Sequence, residues 1–222
     1  MTSLLLVPLD DTVVFPTMDV TLPVEVGDEE RVLLIPRHDG AFAKVGTIAE
    51  VTESVRLPGG GRAVALTGVA RGVAGAAHTD AAGRLRIDVT ESVDAVPVDG
   101  RSRNAEREYR AVVEEILELR GADSRVGAFL RAIAEPGPLA DTIGYAPDVT
   151  FEQKVEVLET LDVTERLELA VRIQRELGED SGSVVEVRPD HGRRPRRAGG
   201  RQGPHRRVPG RQEAARGARD GA

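Results

Sequence analysis

Leu4-Leu5-Leu6-Val7-Pro8-Leu9-Asp10-Asp11-Thr12-Val13-Val14-Phe15-Pro16, with Val45-Gly46-Thr47-Ile48-Ala49 following about thirty positions later, is the part of this chain that settles its class. Leu4 to Val7 form a short apolar run that Pro8, Asp10 and Asp11 break up, and no basic residue precedes it. A secretory leader needs a positively charged start and an unbroken apolar core, so the pattern predicts a strand over residues 4–7 in a cytoplasmic protein. No stretch approaches eighteen consecutive apolar residues, so neither a membrane-spanning helix nor a membrane partner is expected.

Short β-segments continue to about residue 98. Strand candidates after the first are 20–26, 31–36, 45–53, 62–69 and 84–96, separated by turn signals at Asp39-Gly40, Pro58-Gly59-Gly60-Gly61 and Asp80-Ala81-Ala82-Gly83. Within the last of them, Arg84-Leu85-Arg86-Ile87-Asp88-Val89-Thr90 alternates apolar and polar residues, the period of a half-buried strand. Many short strands at this spacing predict a compact barrel or sandwich.

After Asp99-Gly100 the period changes. Tyr109, Val112, Val113, Ile116 and Leu119 recur at helical spacing, with Glu106, Arg107, Glu114, Glu115 and Glu118 between them. A second helix is predicted from about Ser124 to Ala134, ending before Pro136 and Pro138, whose rings and missing amides oppose continuation. Thr150 precedes Gln153 by three, the spacing of a capping box, and opens a helix carrying Val155, Leu158 and Leu161. Asp162 and Glu165 repeat the device for a last helix with Leu167, Ala170, Val171 and Leu177. The expectation is an α+β protein: a β domain over residues 1–98, a helical subdomain of four or five helices over 99–180, and a disordered low-complexity tail over 181–222.

Composition divides the chain in the same way. Residues 1–186 carry 19 Lys and Arg against 34 Asp and Glu, a balance of −15, whereas residues 187–222 carry 11 Arg against 3 acids, a balance of +8. An acidic body discourages nucleic acid and anionic lipid; a basic tail encourages them. Arg, Gly, Ala and Pro fill 27 of the last 36 positions, which leaves too little apolar side chain to offset the entropy of folding. An arginine bias without lysine fits a GC-rich coding sequence read out of frame as well as it fits a selected basic tail. Aromatic residues are only 3% of the chain, so stacking platforms for bases are not expected, and the absence of cysteine excludes disulfides, thiol nucleophiles and Cys-bound zinc.

Chemistry is hard to place. The only lysines are Lys44, after Ala43, and Lys154, after Gln153, so the Gly-Lys-Ser/Thr of a phosphate-binding loop does not occur, and Lys44 in a turn and Lys154 on a helix face read as solvated charges. His38 and His78 sit beside turn residues without a second histidine at helical spacing and read as surface residues. Adjacent acids such as Asp10-Asp11, Asp28-Glu29-Glu30 and Glu114-Glu115 point to different faces or to solvent. No catalytic residue, cofactor or metal ligand is therefore assigned, and the chain is not expected to be an enzyme.

The opening strands, together with Arg56-Leu57-Pro58-Gly59-Gly60, Ala65-Leu66-Thr67-Gly68-Val69-Ala70-Arg71, Leu139-Ala140-Asp141 and the run from Glu152 to Leu167, resemble the N-terminal domain of Lon-type ATP-dependent proteases over residues 4–177. The resemblance implies a PUA-like pseudo-barrel followed by a helical bundle, and a domain that grips protein substrates for a motor and a peptidase. It implies unfolded or misfolded protein segments as partners, with a full-length Lon-type protease or further copies of the chain beside them, in protein quality control. Two features depart from the family pattern: Val26-Gly27 leads almost directly into the next strand, and the long helix expected after Leu167 is missing, which suggests an internal deletion and a shifted terminus. A receptor of this kind needs exposed apolar surface, and Phe15, Pro16 and Met18 at a bend, with Leu22 and Phe42, are the candidate contacts, although Phe15 and Phe42 taken singly read first as plugs of the barrel. The alternative reading is a nucleic-acid-associated PUA-like module that uses the arginine-rich tail against phosphates.

Overall fold

Leu4–Val7 and Val32–Ile35 are apolar at consecutive positions because the strands carrying them are covered on both faces. In the computed structural model, which describes residues 2–56, 61–95 and 99–183, β1 (Thr2–Asp10) and β3 (Arg31–His38) lie parallel, with Leu6 opposite Leu33. β3 pairs with β5 (Val45–Arg56), β5 with β6 (Arg62–Thr79), β6 with β7 (Leu85–Ser92), and β7 returns to β1, all antiparallel. These five strands close into a ring, which removes the edges that would otherwise template aggregation. β2 (Asp19–Leu22) pairs with β6, and β4 (Ala41–Phe42) folds back on β3 through Asp39 and Gly40, both at positive φ as a tight hairpin requires.

Alternation sorts the side chains. Leu4, Leu6, Leu33, Ile35, Ile48, Ile87 and Val89 gather on one face of the ring. Leu5, Val7, Val32, Leu34, Ala49, Val64 and Leu66 lie on the other and continue into the helical half through Tyr109, Leu139, Leu158 and Leu167. Strands and helices thus share one core, and the described residues belong to one compact unit.

The helices are α1 (Gly100–Leu119), α2 (Ser124–Ala132), α3 (Pro136–Asp141), α4 (Phe151–Glu159) and α5 (Val163–Ser183), with a 3₁₀ turn at Thr142–Tyr145. Two starts are capped as the sequence predicts, Thr150 and Gln153 forming the reciprocal capping box and Asp162 accepting from the Glu165 amide; Asp99, which the sequence reading did not single out, accepts from the Ser102 amide. β2 and β7 each end four residues short of their predicted ends, and two further expectations needed correction. β6 runs ten residues past its predicted end because Gly72 lets it pass close to β7: a Cβ there would stand 2.6 Å from Val89 and 2.7 Å from Leu33. Pro136 does not merely stop a helix but starts one, since at the first helical position its missing amide has no partner to lose. The predicted tip at Pro58-Gly59-Gly60, the boundary near residue 98 and, of the tail predicted over 181–222, residues 184–222 lie outside the described residues, while α5 takes in residues 181–183. Among the described residues, no helix is long and apolar enough to cross a membrane.

Candidate protein-binding groove and the clamp behind it

Three segments far apart in sequence meet in a buried ionic clamp. Arg71, on β6 and 1% exposed, donates two hydrogen bonds to Asp141 at the end of α3, at 3.0 and 2.6 Å, and a third to the Leu158 carbonyl of α4. Arg166 of α5, fully buried, makes a two-pronged pair with Asp94 at 2.8 Å, donates to the carbonyls of Thr160 and Leu161, and lies 3.6 Å from Asp141. Each guanidinium fork is thereby matched by a carboxylate and by carbonyls left over at a helix end. Burial pushes the Asp94 carboxyl up, but the hydrogen bonds and charge of Arg166, with the charge of Arg71 behind them, hold it below the ordinary carboxylate range. Gly68, three residues before Arg71, has its own constraint: a Cβ would stand 2.6 Å from the Phe15 carbonyl oxygen, while its amide donates to the Met18 carbonyl. The Gly-x-x-Arg spacing therefore serves two neighbours, the bend at residues 15–18 and the helical half.

That clamp leaves the far end of α1 projecting. The first turns of α1 pack on α5, but Val113, Ile116 and Leu117 are only partly buried and Leu119 is 79% exposed. α2 lies across this projection. Arg110 of α1 donates to the Leu130 and Ile133 carbonyls at the end of α2, and Arg131 pairs with Glu114 at 2.9 Å, so α2 is pinned by its C-terminal end. Between α1, α2 and the 3₁₀ turn opens a groove of about 740 Å³. Val126, Phe129 and Tyr145 form its exposed apolar rim; Tyr109, Leu130 and Gln174 are buried along its floor. Arg120 pairs with Asp148 at 2.6 Å and Arg125 with Asp123 at 2.6 Å, so both basic groups of the groove are neutralised in place. Burial keeps the Tyr109 phenol neutral far above its usual range although it shares a hydrogen bond with Thr142. Such a surface offers contact with apolar side chains.

The sequence candidates fall elsewhere. Phe15, fully buried, and Met18, 7% exposed, close the bend against the 3₁₀ turn, where a Cβ on Gly144 would meet both side chains within 2.6 Å. Phe15 thus occupies the plugging position, because the helical half covers a bend that looks exposed when the strands are read alone. Pro16 and Leu22 are partly buried. Phe42 does not plug the barrel: on the short β4 hairpin it is 44% exposed, with the Arg37 guanidinium 5.6 Å from its ring centre. His38, a strand residue rather than a loop residue, pairs with Asp11 at 2.5 Å and packs its ring 5.5 Å from that of Phe151. Among the described residues, no group of acids and histidines could hold a metal ion. Sequence reasoning missed the groove; the signal available was Val126 and Phe129 on a short helix already joined to a longer apolar stripe.

The sequence model of the ATP-dependent protease La (LON) substrate-binding domain matches residues 3–175. The Lon protease of Salinispora arenicola is 35% identical over 182 residues, 77% of this chain, and that of Chloroflexus aurantiacus 34% identical over 193 residues. In each case the match takes in 23% of the relative, so the chain spans about a quarter of the length of these proteins. Among solved structures, the N-terminal domain of the Mycobacterium avium complex Lon protease superposes with a TM-score of 0.70 at 28% identity, covering 79% of this chain and 99% of that one. The Lon N-terminal domain protein from Xanthomonas campestris, at 18% identity and a TM-score of 0.57, shares the fold. A ring of strands followed by helices, matched along nearly its whole described length, makes this chain a member of the Lon substrate-binding domain family.

Proposed function

We propose that the chain recognises protein substrates without cutting them, and that the groove between α1, α2 and the 3₁₀ turn receives exposed apolar segments of unfolded proteins in protein quality control. The observation that carries this reading is the groove itself: an apolar rim of Val126, Phe129 and Tyr145 over a floor of buried side chains, with the neighbouring charges already paired. Membership of the substrate-binding family supports it. Phe42 and the half-buried Pro16 and Leu22 are secondary contacts in this reading, whereas Phe15 and Met18 support the fold. A cytoplasmic setting, and either a full-length Lon-type protease or further copies of the chain as a partner, complete the proposal; cleavage and ATP hydrolysis belong to neither half. The division at residue 98 is one of element type, with both sides acting as a single receptor. The alternative nucleic-acid role rests on the arginine-rich residues from 187 on, outside the described residues, and the family does not favour it.

The test is fluorescence anisotropy with a fluorescently labelled, permanently unfolded client. Phe129→Ser combined with Tyr145→Ser is expected to weaken binding about tenfold or more, as loss of exposed aromatic anchors does, while the folded state is retained. Unchanged binding by that variant, or no binding by the wild-type chain, would count against the proposal.

A further inference from the structure

Among the described residues, Gln174 is the one side chain of α5 that lines the groove, and the residue is 6% exposed. The unpaired buried side-chain polar atom among the described residues is Arg31 Nε, so the Gln174 amide, although most of the side chain is covered, reaches the water of the groove. Among the described residues it makes no hydrogen bond, whereas the other polar floor groups are satisfied: Tyr109 bonds Thr142, and Thr142 donates to the Leu139 carbonyl. The groove therefore has apolar walls, charges paired at Arg120–Asp148 and Arg125–Asp123, and a single open amide at its base.

A carboxamide presents a donor and an acceptor side by side in one plane, the complement of the N–H and C=O of a peptide unit. We infer that Gln174 pairs with the main chain of the bound segment, so that the groove selects an uncharged apolar stretch whose backbone amide is free to hydrogen-bond. This rests on the proposed function and deepens it. Apolar walls alone would accept any greasy ligand; the amide makes the site prefer polypeptide in a non-hydrogen-bonded, unfolded form. A folded helix or strand has its main-chain groups engaged and gains nothing from Gln174. Paired charges on both sides disfavour a charged occupant, which would meet no free counter-charge.

The test uses the full chain and a capped, uncharged peptide rich in Leu, alongside copies N-methylated singly at each central residue. Wild type is expected to bind the plain peptide and to lose about tenfold in affinity for one of the methylated copies. Gln174→Leu, and Gln174→Met as a second variant of similar volume, should bind the plain peptide about tenfold more weakly and no longer distinguish that copy. Should both variants bind like wild type, or remain equally sensitive to methylation, the role of Gln174 is refuted. If plain peptide binding is also unaffected by Phe129→Ser, or absent from wild type, the groove reading falls with it; if it is lost in Phe129→Ser alone, the groove stands without Gln174.

Discussion

Arg71 shows how a short motif can be read correctly as a family sign and still hide its purpose. Gly68-Val69-Ala70-Arg71 marks the resemblance, yet nothing in those four residues says that the arginine is buried under the helical half with Asp141 seventy positions away. A buried arginine needs a partner, but which of 37 acids supplies it is a matter of topology. Removing one member strands the other in a dry site, so Arg71→Met is expected to lower stability by about 3–5 kcal/mol, and Arg71→Met with Asp141→Leu to recover much of that loss, both read by urea denaturation. The carboxyl of Asp94 titrates below its ordinary value in the fold, so its contribution is present above about pH 4 and fades as acid carries the solution down through the lowered value. Asp94→Asn should therefore flatten the stability profile in that acid range while leaving its shape at neutral pH unchanged; a profile identical to wild type would refute the assignment.

Elements were legible wherever local chemistry decides them. The capping box at Thr150 and Gln153, the Asp39-Gly40 hairpin and the alternation of β7 each depend on residues a few positions apart, and each forms where the sequence places it. Thr150→Ala is expected to cost about 1 kcal/mol, a fall in melting temperature of about 2–4 °C. What spacing could not give was the environment of a correct element. The apolar stripe of α1 has the same period along its length, but its first half is covered by α5 and its second half borders the groove. At the bend the reading of Phe15 as a plug agrees with its burial, but spacing could not say that Gly144 of the helical half is what covers it. Gly68→Ala should destabilise by at least about 1–3 kcal/mol, because the atom it would strike belongs to the Phe15 main chain and has little room to move.

At the scale of the whole molecule, strands and helices share one core and a clamp ties them together, so the described unit should unfold in one step. Far-ultraviolet circular dichroism, which follows strands and helices, and tyrosine fluorescence, which in this Trp-free chain follows Tyr109 and Tyr145 of the helical half, should give coincident urea transitions; two separated midpoints would show independent halves. The groove opens on the surface of that shared core, whose Tyr109 and Leu130 form its floor. The most direct test of the groove is amide hydrogen exchange with and without a saturating unfolded client. Exchange is expected to slow in residues 109–130 and 142–147, with β1 and β3 unchanged. Slowing confined to the strands around Phe42, with the α1–α2 region exchanging as in the free chain, would contradict the assignment.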